Sequence, residues 1–456
     1  IEQSNKISYR GPDNTTNIHP DEKSFFAFHR LAINGLTKAG NQPFKLDNLT
    51  LVCNGEIYNH AALEAKYGIA NTTGSDCEVI LGMFKKIGIE KTVTELDGVF
   101  MFVIYDSETG KTWAARDPFG VRPGFIATGF KELGISSESK SLVELFPGLV
   151  KVFEPGSWWC SEKPSNFNIW YNKDFSPHES IDEMIYPKFV RQSLIRSVEK
   201  RMMSDREVGC LLSGGLDSSL IASIASRFSK DKIKTFSIGM PGSIDLKYAK
   251  LVSDYIGSEH HEIKISEQDF LDAIPEVIYN IESYDTTTVR ASVGNYLVSK
   301  YISENTDVKV VFNGDGADEV CSGYIYGMLA PTYEDLYHDS KSLLSEIHLF
   351  DVLRSDRSIS SNGLEPRTPF LDKEFVDVYM KIPGKDRAFS SKKIEKYILR
   401  RAFSGHNYLP EDVLWRKKCA FSDGVSNIKK SWHTIIQDHV ESKISDDYFS
   451  KRVKEI

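Results

Sequence analysis

The 456-residue chain reads as two unlike parts: an α+β domain, then an α/β domain with a doubly wound parallel sheet and a helical C-terminal part. Three observations predict this. The length exceeds the roughly 250 to 300 residues that one core usually supports. Up to about residue 160, short β-like runs alternate with Gly and Asn turns; beyond about 180, short apolar runs alternate with stretches of helical spacing. Between Phe153 and Pro187 the pattern loosens into Pro, Ser, Asn, Trp and acidic residues. This places a linker and a boundary near residue 180, with domains over 1–180 and 181–456.

In the first part the runs Phe25 to Phe28, Leu49 to Cys53, Val99 to Tyr105, Thr112 to Ala115 and Gly124 to Ala127 carry strand signals, and Cys77 to Gly88 a single helix. In the second, Ile185 to Met203 and Ser219 to Phe228 have helical spacing. Val208 to Leu212, Thr235 to Ile238, Glu262 to Ile265 and Val308 to Phe312 read as buried strands, and from Leu343 onward the chain is mostly helical. Ligand loops of such a sheet lie at the carboxyl ends of its strands.

Composition excludes several classes. With 41% hydrophobic and 26% charged residues, and no apolar stretch near the roughly 18 residues of a membrane helix, the chain reads as a soluble globular protein. A net charge of −8 offers no field for nucleic acid. Six scattered cysteines without Cys-x-x-Cys pairs point to a reducing cytoplasm, so the glycosylation triplets at Asn14, Asn48 and Asn71 are read as unmodified.

The strongest motif is Ser213-Gly214-Gly215-Leu216-Asp217-Ser218-Ser219, between a strand and a helix. Two glycines let backbone N–H groups converge on an anion, the helix offers its positive end, the serines add donors and Asp217 suits magnesium. No Gly-Lys-Ser/Thr phosphate loop occurs, which points to ATP cleavage between the α and β phosphates. The plainer alternative is a turn before a helix cap. A second loop, Asn313-Gly314-Asp315-Gly316-Ala317-Asp318-Glu319, also follows a strand. Alone it reads as an acidic surface turn; opposite the first, Asp318 and Asp217 form a magnesium cradle. The stretches 286–292 and 415–424 add cations that a nucleotide and an acidic substrate require.

These pieces, together with Gly323-Tyr324-Ile325-Tyr326, Leu349 to Arg354, Pro369-Phe370-Leu371-Asp372 and Phe421-Ser422-Asp423-Gly424, resemble glutamine-dependent asparagine synthetase in order and over nearly the whole chain. The resemblance implies that Leu212, Ile238, Asn313 and Gly314 line the nucleotide site and that Asp217 and Asp318 bind Mg²⁺. It also implies that Arg290 and Lys418 stabilise the phosphates, that Thr287 and Tyr324 lie near the aspartyl substrate, and that Asp315 is a catalytic acid where the family has glutamate.

Near the start, Arg10 to Asp13, His29-Arg30-Leu31-Ala32-Ile33 with Asn34, Asn54-Gly55-Glu56 and Ser75-Asp76-Cys77 supply a guanidinium for an α-carboxylate, a carboxylate for an α-ammonium, and amide donors for an oxyanion. Arg30, Asp76 and the Asn54–Gly55 pair take those roles. The set resembles the glutaminase domain of class II amidotransferases, which implies an αββα N-terminal-nucleophile fold whose mature chain begins with cysteine. Only nine residues precede Arg10. Either the sequence lacks the first segment, the favoured reading, or glutaminase activity is lost; none of the six cysteines substitutes, and the helical tail of the family is shown only in part.

The reading is an AMP-forming ligase using ATP with Mg²⁺, aspartate and glutamine. It expects no organic prosthetic group, no nucleic-acid or membrane partner, and a homodimer as the one macromolecular assembly considered. Alternatives are an ammonia-dependent or β-lactam-synthetase-like adenylating enzyme with a vestigial glutaminase, and a non-catalytic glutamine or nucleotide sensor.

Overall fold

The computed structural model describes residues 1–130, 132–177, 185–390, 393–418, 424–426, 430–444 and 448. In the first half, β1 (Asn14–Ile18) and β2 (Phe26–Arg30) form a hairpin. Strands β3 (Phe44–Leu46), β4 (Leu49–Ile57), β5 (Gly98–Asp106) and β6 (Lys111–Arg116) follow, with helices α1 (His60–Tyr67) and α2 (Val79–Glu95) between β4 and β5. Next come β7 (Phe125–Thr128), β8 (Leu133–Ser136) and β9 (Val150–Val152), a separate three-stranded sheet, then β10 (Ser157–Cys160) and β11 (Phe167–Ile169). The main sheet is antiparallel in the order β11-β10-β6-β5-β4-β3.

Several elements differ from the sequence reading. Strand β4 does not end at Cys53: Asn54 to Ile57 pair with β5, so Asn54-Gly55 lies within a strand rather than in a turn. A Cβ on Gly55 would stand 2.2 Å from the Val99 carbonyl oxygen, and that close backbone approach is what the glycine permits. The helix expected over Cys77 to Gly88 begins at Val79 and breaks at Gly88, whose φ of 74° and ψ of 172° are not helical; a second helical stretch then continues α2 to Glu95. The shorter α1 has no counterpart in the sequence reading; its apolar signal is weak, with only Leu63 buried.

The second half holds a five-stranded parallel sheet in the order β14-β13-β12-β15-β16, formed by β12 (Glu207–Leu211), β13 (Lys234–Gly239), β14 (Glu259–Lys264), β15 (Val308–Phe312) and β16 (Glu365–Arg367). All four pairings are parallel. Helices α3 (Tyr186–Lys200), α4 (Leu216–Phe228), α5 (Thr286–Asn305), α6 (Asp351–Ser360) and α7 (Tyr397–Phe403) surround it. The order reverses around β12, so the loops after β12 and β15, adjacent strands paired at Cys210 and Phe312, open on one crevice. The last strand, β16, falls in the region expected to be helical.

The largest core cluster spans both halves: Ile33, Val99, Phe119, Val121 and Phe175 pack with Val190, Leu194, Leu212 and Leu220. Beside it lies a buried ionic layer. Arg10 meets Glu138 (2.8 Å) and Asp356 (2.7 Å), Arg122 meets Asp356 (3.3 Å) and Glu365 (2.9 Å), and Arg367 meets Glu365 (2.8 Å) and Glu56 (3.6 Å). Arg367 also donates to the carbonyls of Arg201 and Met203. Breaking a buried pair strands a charge. Arg367→Met should therefore lower stability by about 3 to 5 kcal/mol, read as a fall in the urea midpoint, whereas a surface control such as Lys250→Met should change it by less than about 0.5 kcal/mol.

Candidate active site

The larger cavity, about 390 Å³, lies where the loops after β12 and β15 face each other. The first loop is tied by its own serines. Ser213 N donates to Ser218 Oγ (3.2 Å), the two hydroxyls lie 3.0 Å apart, and Gly215 N donates to Ser213 Oγ (3.3 Å). Gly214 takes a left-handed conformation (φ 71°), and a Cβ there would meet Tyr248 and Ala249 at 2.5 Å. Gly215 caps α4, and Leu216, Asp217 and Ser218 of its first turn line the cavity. Gly314 lets the loops touch, since a Cβ on it would sit 2.8 Å from Ser218 N.

Of the residues expected here, Leu212, Ser213, Gly215, Asp217, Ser218, Ile238, Thr287, Arg290, Asn313, Gly314, Asp315, Asp318, Tyr324 and Lys418 line the cavity. Two of the expected residues are not among them. Ser219 is fully buried, a turn's length into α4, and Gly214 packs against Tyr248 and Ala249. Of Phe421 to Gly424, only Gly424 is within the described residues; it packs so closely on Asp245 that a Cβ would meet the carboxylate at 2.0 Å.

Lys396, not anticipated from the sequence, is the hub. Its ammonium lies 2.6 Å from Asp217 Oδ2 and 2.5 Å from Asp318 Oδ1, and Lys418 lies 2.5 Å from Asp318 Oδ2. Burial alone would raise the Asp318 pKa, but Lys396 and Lys418 outweigh it and hold the carboxyl at about 2. The same two carboxylates raise the Lys396 pKa against its burial. Lys396 sits at the N-terminal edge of α7 in the left-handed region (φ 54°), a conformation costly for a side chain bearing a Cβ and retained where surroundings over-determine it. In the sequence it hides in the basic run Lys392-Lys393-Ile394-Glu395-Lys396, which reads as a solvated helix end.

Arg354 was likewise missed as an individual. From α6 its Nη2 donates to Asp315 Oδ1 (2.8 Å) and to Asp351 Oδ1 (2.5 Å), while Asp351 Oδ2 accepts from Gly316 N (2.9 Å). Asp315 is thereby held by one oxygen, and its buried Oδ2 has no hydrogen-bond partner. Tyr324 donates to Glu319 (2.5 Å), whose pKa is pushed up by burial and by Asp351 and Asp318; the Lys418 ammonium lies 4.5 Å from the Tyr324 ring centre. Asp217 and Asp318 suit Mg²⁺: both are oxygen donors, and the buried Asp217 Oδ1 has no partner of its own.

The second cavity, about 150 Å³, lies between β2, β4 and the 75–77 turn. Arg30, Leu31, Ile33, Asn34, Asn54, Gly55, Glu56 and Asp76 line it. Ala32 does not; its N–H donates to Asp13 and its carbonyl accepts from Arg206. Arg30 donates to Thr37 O, Asn41 Oδ1, Asn34 O and Gly35 O, so four of its five N–H groups organise the 34–41 loop and Nε–H is left. Asp76 accepts from Ile57 N (2.6 Å) and Asn34 Nδ2 (3.3 Å), with its pKa raised by burial. Cys77 also lines the cavity, but its thiol pKa is pushed up by a hydrogen bond with Cys53 and by burial, which suits a packed thiol rather than a nucleophile.

A family profile described as Asparagine synthase matches residues 189–335 and 329–454, and one described as Glutamine amidotransferase domain matches residues 1–152. The chain is 42% identical over 481 residues to the glutamine-hydrolysing asparagine synthetase of Mus musculus, covering 98% of this chain and 85% of the relative. The chain belongs to the asparagine synthetase family. The Homo sapiens relative of the same name is 42% identical over 477 residues, 97% of this chain and 84% of its own. A solved B. subtilis structure, glutamine phosphoribosylpyrophosphate amidotransferase with ADP and GMP, is more distant: 14% identical, TM-score 0.34, over 62% of this chain and 90% of that one.

In this asparagine synthetase family member the Asp318 carboxylate contributes to stability above its unfolded pKa of about 4, and that contribution is lost as pH falls toward about 2. Lys396→Met removes one of the two cations holding it down. The acid-unfolding midpoint should rise, and nucleotide binding, measured by calorimetry, should weaken at least tenfold; Lys396→Arg should recover part of both.

Proposed function

We propose that this chain is an AMP-forming carbon–nitrogen ligase that makes asparagine, with domains over 1–180 and 181–456. The reaction converts ATP, L-aspartate, L-glutamine and water to AMP, pyrophosphate, L-asparagine and L-glutamate through a β-aspartyl-AMP intermediate. One observation carries the reading: a serine–glycine loop at a helix N-terminus faces an acidic loop on the neighbouring strand across one cavity, in a chain 42% identical to glutamine-hydrolysing asparagine synthetases over nearly its whole length.

Leu212 and Ile238 form the apolar wall for the base, and the loop N–H groups with Ser213 and Ser218 receive the β and γ phosphates, which leave together. Arg290, whose buried Nε has no partner, and Lys418 offset charge at the α-phosphate as the aspartate carboxylate attacks it. Mg²⁺, held by Asp217 and Asp318, would neutralise the departing pyrophosphate. Thr287 and Tyr324 border the space for aspartate. When ammonia adds to the acyl carbon, the free Oδ2 of Asp315 accepts the proton the new ammonium must lose, and AMP leaves. Aspartate is one methylene shorter than the glutamate expected there, and the Arg354–Asp351 pair fixes where the shorter acid points.

The glutamine cavity is the source of ammonia, with Asp76 receiving the α-ammonium and Arg30 Nε–H with Asn34 the α-carboxylate. Asn54 and Gly55 offer amide donors to the oxyanion.

Incubation with ATP, Mg²⁺, aspartate and either glutamine or ammonium should give AMP and pyrophosphate in step with asparagine; ADP and orthophosphate would refute the assignment. Asp315→Asn should lower the ammonia-dependent kcat by about 100-fold or more with little change in the ATP KM, as loss of a general base does. Asp76→Asn should cut glutamine-dependent kcat/KM about 10- to 100-fold while ammonia-dependent synthesis stays within about twofold.

A further inference from the structure

A third cavity, about 190 Å³, lies between the two halves and shares no lining residue with the other two. Its polar wall carries Arg116, Arg357 and His348 beside Ser139, Glu282 and Asp356, and several of its donors have unused capacity. Arg116, fully enclosed, donates Nε to Arg122 O (2.7 Å), Nη1 to Phe153 O (2.7 Å) and Nη2 to Gly120 O (2.9 Å), which leaves one N–H on each terminal nitrogen. Neither Arg116 nor nearby Lys173 forms an ion pair within 4 Å among the described residues, although Asp117 and Glu154 act on both from farther off. Arg357 Nε and His348 Nδ1 are buried without partners.

The acids around the cavity are already engaged. Glu282 accepts from Ser139 N (3.1 Å) and Lys140 N (2.6 Å) and pairs with Arg357 (3.0 Å); Asp356 pairs with Arg10 and Arg122. Asp117 accepts from the backbone of Phe119, Val121 and Arg122. Burial, helped by neighbouring cations and opposed by Asp117, lowers Arg116 to about 10 and Lys173 to about 8; burial with Arg116 and Lys173 lowers the His348 ring to about 3, so the ring is neutral. What the cavity has to spare is N–H groups on Arg116 and Arg357 Nε that no side chain among the described residues engages.

We propose that this cavity is a third ligand site, which takes a small organic carboxylate of amino-acid size between Arg116, Arg357 Nε and His348 Nδ1. The opposite wall, Val121, Pro123, Val352 and Leu353, is apolar and suits a carbon chain rather than a phosphate. The volume is below the roughly 300 to 1,000 Å³ of sites for drug-sized ligands, which excludes a nucleotide. Helix α6 carries the site's consequence. Its Asp351 and Arg354 line the nucleotide cavity, Leu353 and Arg357 line this one, and Ser360 lines the glutamine cavity, so an occupant rests on the helix that touches both reaction sites.

Titration calorimetry of the full chain with succinate tests the site, using wild type, Leu353→Trp, which fills the space, and His348→Phe, which removes a donor. Wild type should show saturable binding that weakens at least tenfold in each variant, and crystals soaked in succinate should show it beside Arg116. Equal binding in wild type and His348→Phe overturns the proposal even if Leu353→Trp does not fold. So does succinate found only in the other cavities, or displaced from this one by inorganic phosphate at equal concentration.

Discussion

One ammonium holds the nucleotide cavity together. Asp217 follows β12 and Asp318 follows β15, and two carboxylates in one crevice would repel each other and any polyphosphate. Lys396 Nζ, 2.6 Å from one and 2.5 Å from the other, cancels that repulsion and fixes the gap between the loops. The left-handed backbone at Lys396 is the local cost of delivering a short, rigid connection from α7 into the crevice. With Lys418 on the far side of Asp318, the site presents alternating charges, a pattern that can accept both a metal and an anion without a large net field.

A second constraint is the ionic layer joining the halves. Three arginines, Arg10, Arg122 and Arg367, meet Glu56, Glu138, Asp356 and Glu365 where water is excluded. Buried pairs contribute little net stability against well-packed apolar residues, but they tolerate only one register, because any slip strands a charge. Glu56 belongs to the strand that carries Asn54 and Gly55, and Arg367 to the last strand of the parallel sheet. The second cavity is thereby positioned against the parallel sheet by direct contact as well as by the shared core around Val190 and Phe119.

Much of this was legible from the residues. The alternation of strands and helices after residue 180, the two loops after their strands and the charge pattern of the glutamine cavity follow from local periodicity and glycine placement. The misses share a cause. Asn54-Gly55 carries a turn signal, yet pairing with β5 overrides it, since nine successive partners outweigh one local preference. Helix α1 has too little apolar face to announce itself. Lys396 looks like a surface cation because nothing within a few residues is its partner, Asp217 lying 179 positions away; Arg354 reads as an ordinary helical pair with Asp351, and its second acid, Asp315, lies 39 positions away.

The sequence by itself determined the chemistry on offer: which loops can bind anions, which residues can bind metal, and that a nucleotide and a free amino acid are the natural ligands. Tertiary structure decided which charges neutralise one another. It assigned Lys396 to two acids at once, spent most of Arg30 on its own loop, buried Ser219 and left Arg116 enclosed with two N–H groups unused. The physical reason is range: backbone preference and periodicity act over a few residues and are written locally, whereas a Coulomb pair in a buried site depends on distances that only the folded chain defines.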